Sequence, residues 1–265
     1  MEIVAKISKG SKMDQVYLPK KRNGFYTGSY VILKPLEAEK PEEKPYFYNI
    51  TSIEPIKLRL VLEIMQIIEK ELQSYENIII TGSFLEPGFH FNDIDVLVIS
   101  NNGMHESSLK KSLEEKTRVK IHLIMLSQAV LMQGLSTDPL YQMMMSKAIA
   151  KKRMIYHTQR KPDYKLLDLH LLKSRPLIAN FDALNGEEKY GLTRNMLAIS
   201  LFLQDKKVSK ASIDNEIKQV FHIKDVMEIK QNTLNKKKFL GQYKRVYSSI
   251  FNHVMDGVNH GSKQK

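Results

Sequence analysis

Asp93 and Asp95 stand two residues apart in the run "FNDIDVLVIS", in which every residue from Val96 to Ile99 is apolar. At strand period both carboxylates leave the same face of a pleated element. Two like charges a few ångströms apart repel, and in apolar surroundings a cation or a shared proton offsets that cost. A divalent ion with hard oxygen ligands meets the need, and a chain without cysteine points to Mg²⁺ or Mn²⁺ rather than Zn²⁺. Mg²⁺ held by one or two carboxylates completes its shell with water and substrate phosphate, so nucleotide chemistry is the leading expectation. The preceding turn "TGSF" agrees with it. Gly82 lets the backbone approach a ligand closely, and Ser83 adds a hydroxyl beside free N–H groups where a triphosphate can be held.

Gly82-Ser83, the nine residues "FLEPGFHFN", then Asp93-Ile94-Asp95-Val96 resemble the signature of the DNA polymerase β-like nucleotidyltransferase superfamily. The resemblance runs from about Thr51 to His157, including a "LSQAV" helix start and a closing "KKRMIYH". It implies that Asp93 and Asp95 hold the metal ions and that Gly82 and Ser83 contact the phosphates. The implied reaction transfers a nucleoside monophosphate from an NTP and releases pyrophosphate. One position departs from the pattern. The family's third carboxylate lies on the next strand between apolar residues, and the matching triplet here is Ile121-His122-Leu123, with no Asp or Glu between Lys116 and Leu126. A neutral His122 can ligate a metal or accept the acceptor's proton; equally, it can mark a domain that binds nucleotide and catalyses nothing. Glu86, in the loop, is a candidate for the missing carboxylate.

These residues need a scaffold, and periodicity supplies one. Thr51 and Glu54 have capping-box spacing ahead of a helical stripe at Leu58, Val61, Leu62, Met65, Ile68 and Leu72. Strands are expected at 77–81, 93–99 and 118–126, with a short helix near 107–115. On the third strand, alternation puts Arg118, Lys120 and His122 on a polar face, and Lys120 becomes a candidate phosphate contact or a plain surface lysine. Asp138-Pro139 opens a Met-rich helix, "LYQMMMSKAIA", and a last strand is expected in "RMIYH". From Pro162 onward the apolar spacing is helical throughout, with a break at Asn185-Gly186. Arg194, with Lys189 and Tyr190, is a candidate to close over the nucleotide from that side.

Charge is unevenly placed: the net is +3 over residues 1–50, −3 over 51–150 and +12 over 151–265. The basic end suits RNA or DNA, and an equally good account is a solvated lysine surface. Lys236, Lys237, Lys238, Lys244 and Arg245 interleave with Phe239, Tyr243 and Tyr247, a composition that fits a helix lying along phosphates or an amphipathic helix with its lysines outward. The N-terminal stretch, with Tyr17-Leu18-Pro19-Lys20 and a Gly-started strand "GSYVILKP", resembles one half of an AbrB-type swapped-hairpin domain. That resemblance implies a homodimer or docking onto the rest of the chain. No signal-peptide pattern and no apolar run of about 20 residues occurs, so a soluble cytoplasmic protein without a membrane partner is expected.

The expected architecture is α+β: a small β unit at 1–40, a linker at 41–50, and a nucleotidyltransferase-fold mixed sheet with helices at 51–158. A basic all-helical domain at 159–260 and a disordered tail at 261–265 complete it. The expected function is NMP transfer to RNA or protein. The alternative is a catalytically degenerate nucleotidyltransferase-fold protein that acts as a nucleic-acid-binding or regulatory module.

Overall fold

The computed structural model describes residues 3, 5–33, 44–101, 106–156 and 158–262. It divides into two units, Met1–Glu43 and Lys44–Lys265. In the first, β1 (Ile7–Ser8) pairs antiparallel with β2 (Gln15–Val16). The third strand expected from Gly28 is not formed over residues 28–33, and the rest of it lies outside the described residues. None of the described residues of this unit is buried.

The second unit is a five-stranded mixed sheet followed by helices, and about half of the described chain is helical. The strand order is β3 (Tyr46–Tyr48), β7 (Ala148–Ala150), β4 (Asn77–Thr81), β5 (Ile94–Ile99) and β6 (Ile121–Leu126). All neighbours are antiparallel except β5 and β6, which run parallel. β4 is buried along its whole length because Ile78 and Ile80 face one layer of helices while Ile79 faces another. Strands covered on both faces read as unbroken apolar runs, and "NIIIT" is one. The helices α1 (Pro55–Glu71) and α2 (Glu106–Thr117) cover the first face. On the other face, α3 (Gln128–Thr137) and α4 (Pro139–Met145) pack over Ile79, Leu97, Ile99, Ala148 and Ala150.

Several boundaries differ from the sequence expectations. β3 lies inside the segment read as a linker, where it pairs with β7 through Phe47 and Ile149. The closing strand is Ala148–Ala150, not "RMIYH", whose described residues form no strand. Alanine has weak strand propensity, and these three owe their strand to hydrogen bonds from β3 and β4 on either side. Helix α1 begins at Pro55 rather than Thr51, and the Glu54 side chain makes no cap bond. Two starts do follow local chemistry. Ser127 caps α3 by accepting from the Val130 amide, and Asp138 caps α4 by accepting from the Leu140 amide.

The helical region contains α5 (Tyr164–Leu172), α6 (Pro176–Ala179), α7 (Gly186–Leu203), α8 (Lys210–Phe221), α9 (Met227–Lys230) and α10 (Lys236–Ser262). Asn185 and Glu188 form a reciprocal capping box at the start of α7, so Asn185-Gly186 is a helix start as well as a break. Helix α10 continues through Ser262, two residues into the tail expected to be disordered. This region has its own core around Leu197, Phe221, Phe239 and Tyr243, yet it belongs to the same compact unit as the sheet. Met143 packs into that core while Met144 and Met145 pack under the sheet, so α4 serves both. A second link is His170 of α5, whose Nε2 lies 3.0 Å from Asp138 Oδ2. Among the described residues, no helix is long and apolar enough to cross a membrane.

Candidate functional site

Strand register brings the motif residues together. Thr81 at the end of β4 pairs with Asp95 on β5, and Asp95 pairs in turn with His122 on β6. Alternation sets the three on the sheet face that Ile79, Leu97 and Ile99 occupy further along. His122 Nδ1 is 2.8 Å from Asp95 Oδ1, and the His122 side chain is 57 % exposed. An Nδ1–H donated to Asp95 leaves Nε2 facing solvent as an acceptor.

Gly82 follows Thr81 with φ +83°, in the left-handed region. A Cβ at this position would overlap Asp95 Oδ2, so any larger residue has to push that carboxylate aside. Glycine is therefore favoured twice here, once by the backbone and once by the neighbour. Ser83 begins a 3-10 turn, Ser83–Leu85, and is exposed. Asp93 lies immediately before β5, half-buried, one residue from the Ile94 amide that donates to the Lys120 carbonyl. That bond sets Lys120 beside Asp93 at the entry to the parallel pair, with its side chain exposed. Asp93, Asp95, Gly82, Ser83, Lys120 and His122 thus lie at one end of the sheet.

Thr81 adds something the sequence did not single out. It is 1 % exposed and its hydroxyl oxygen has no hydrogen-bond partner. A buried unsatisfied hydroxyl costs about 1–3 kcal/mol, which a ligand or water at the site would recover.

Other candidates are placed elsewhere. Glu86 cannot supply a third carboxylate, because its Oε2 is 2.9 Å from Lys147 Nζ and its Oε1 is 3.5 Å from Lys210 Nζ. Burial pushes its pKa up, but the bond from Lys147 and the charges of Lys210 and Lys147 outweigh this and hold it low. Arg194 sits in α7, which packs on α4, α5, α8, α9 and α10; its guanidinium reaches Asn195 and stands 5.9 Å from the Tyr190 ring. Neither Lys189 nor Tyr190 is free to close over a nucleotide. Lys189 is buried against Phe181 and donates to Asn232, and Tyr190 donates to Asp214, with burial pushing its hydroxyl pKa up. Lys237, Lys238, Lys244 and Arg245 project from α10 into solvent, Lys236 is ion-paired with Asp182, and Phe239, Tyr243 and Tyr247 are buried in the helical core. The aromatic rings interleaved with these cations in the sequence therefore offer no stacking platform. A separate cleft of about 460 Å³, lined by Asn77, Lys152, Arg153 and Tyr156, opens at the start of β4, away from Asp95.

The donor set can be tested against a hard divalent ion. Two carboxylates at the entry and first turn of β5 suit an ion that takes the rest of its shell from water and phosphate, with Asp95 Oδ2 packed on Gly82 and Oδ1 bonded to His122. A site built wholly from protein ligands is not present: among the described residues, no group of three or more His, Asp or Glu could hold a metal. In comparisons with protein-family models, curated proteins and solved structures, the chain matches none.

Proposed function

We propose that the second unit is a nucleotidyltransferase-fold enzyme that transfers an NMP from a metal-bound NTP to a macromolecular acceptor, RNA or protein. The observation that carries this is the alignment of Thr81, Asp95 and His122 across three adjacent strands, with Gly82 closed against Asp95. Asp93 and Asp95 would hold Mg²⁺ or Mn²⁺, which neutralises charge on the triphosphate when bound. Gly82 and Ser83 present backbone and hydroxyl to the phosphates, and Lys120 stands beside Asp93 to meet a further phosphate oxygen. The acceptor hydroxyl oxygen attacks the α-phosphorus, the bond to the β-phosphate bridging oxygen breaks, and pyrophosphate leaves. His122 takes the acceptor's proton at Nε2 while Asp95 orients its ring through Nδ1. The test is transfer of label from an α-³²P NTP in the presence of Mg²⁺, with pyrophosphate released, lost in Asp93→Asn with Asp95→Asn.

A second reading is favoured by one observation. His122 occupies the place of a third carboxylate and ties up Asp95 Oδ1, which suits a domain that binds nucleotide without turnover and acts through nucleic acid. Metal-dependent NTP binding without pyrophosphate release, together with salt-dependent RNA binding, would select it. Either reading accommodates a homodimer through the N-terminal unit, whose Met13, Tyr26, Tyr30 and Ile32 are exposed. Sedimentation of the full chain against one starting at Lys44 tests that partner.

A further inference from the structure

Lys57 is a charged residue where the fold needs none. It is 2 % exposed and lies on the buried stripe of α1 with Val61, Ile64 and Ile68. It also lies in the first turn of that helix, where the helix dipole disfavours a cation. Desolvation and dipole both oppose an ammonium here, and a methionine would fill the same stripe at lower cost.

What holds the ammonium there is the motif loop. Its Nζ donates to the Glu86 carbonyl at 2.6 Å and pairs with Glu54 at 3.1 Å. It stands 5.6 Å from the Phe84 ring, 5.3 Å from Phe89 and 5.7 Å from Phe91. Phe84 directly follows Ser83, and Phe91 comes two residues before Asp93. The two rings meet edge to face at 5.0 Å. Glu54 completes the clamp by accepting from the Gly88 amide at the loop's middle. One cation thus gathers both ends and the centre of the loop that separates the phosphate-side turn from the aspartate strand.

We infer that Lys57 is a positioning residue: it sets the separation between Gly82-Ser83 and Asp93 by clamping the loop between them. The inference rests on the proposed transfer reaction for its functional consequence and on geometry alone for the clamp.

The experiment compares wild type, Lys57→Met and Lys57→Arg in the full-length protein, with Glu54→Ala as a variant whose change leaves the α1 core filled. Hydrogen exchange reads the clamp. In Lys57→Met and Glu54→Ala, amides of 82–92 should exchange at least about tenfold faster while those of β4, β5 and β6 keep their protection. Transfer kinetics read the consequence: kcat/KM for the NTP should fall about 100-fold in Lys57→Met, as a misplaced reacting group predicts, with partial recovery in Lys57→Arg. Unchanged loop exchange in both Lys57→Met and Glu54→Ala overturns the inference. So does faster exchange spread evenly over the sheet, or faster loop exchange with wild-type kcat/KM. If wild type transfers nothing, the transferase reading falls, and loop-confined exchange then upholds the clamp by itself.

Discussion

Gly82 and Asp95 are in mutual contact so close that the Cα of one leaves no room for a Cβ beside the carboxylate of the other. A substitution there meets two penalties. Backbone at φ +83°, ψ −165° costs about 1–3 kcal/mol for a residue with a Cβ, and the new methyl displaces Asp95 from its bond with His122. Gly82→Ala should therefore remain folded, with its melting temperature lowered by several degrees, while NTP transfer falls by about 100-fold or more. Circular dichroism melts and a pyrophosphate assay separate the two effects.

Thr81→Val makes the opposite pairing of effects. The variant keeps the shape and removes a buried hydroxyl that has no partner in the protein. Stability should rise by about 1 kcal/mol, because the unsatisfied group is gone. If the hydroxyl serves the ligand, transfer should fall about tenfold, the worth of one hydrogen bond. A stabilised variant with undiminished transfer would make Thr81 merely a tolerated defect.

Acidification should loosen the loop through Glu86. Its carboxylate is held below its ordinary pKa of about 4.3 by Lys147 and Lys210, against the opposing effect of burial. A depressed folded pKa contributes stability above the unfolded value, and that stability is lost as pH falls through the lower folded one. Glu86→Gln should thus melt a few degrees below wild type at pH 7, since ion pairs of this exposure are worth less than about 1 kcal/mol each. The gap should narrow as pH falls below the ordinary carboxylate range and close only once pH has passed below the depressed folded pKa.

The outward face of α10 predicts a salt effect. Lys237, Lys238, Lys244 and Arg245 project from a helix with no acidic residue before Asp256. If RNA lies along them, Lys237→Glu with Lys244→Glu should lower the slope of log K against log salt by about 1.4, since each single-strand phosphate contact contributes about 0.7. An unchanged slope assigns the face to solvent.

What was legible in the sequence had strong local causes. The run Ile78–Ile80 and the alternation around Asp93 and Asp95 specify β4 and β5, and the parallel register then delivers His122 to Asp95. The helices from Pro162 onward were legible from their apolar spacing, whereas Asn185 was read only as a break and not as the cap that starts α7. β7 was hidden because Ala148–Ala150 continues the apolar pattern of the Met-rich helix, and only two partner strands make it extended. β3 was hidden behind prolines and glutamates. Lys57 was the subtler miss: it sits four residues before Val61 on the same helical stripe, a charge where an apolar residue belongs. That mismatch was visible in the sequence, but its reason, three rings and a carbonyl from the motif loop, exists only once the loop folds back on α1.

The most direct measurement is calorimetric titration of ATP, CTP, GTP and UTP into wild type and into Asp93→Asn with Asp95→Asn, each with and without Mg²⁺. Two carboxylates that need a cation before they can meet a triphosphate predict binding only when metal and nucleotide are both present, and none in the double variant. Equal binding with and without Mg²⁺, or equal binding by the double variant, would contradict the assignment of Asp93 and Asp95.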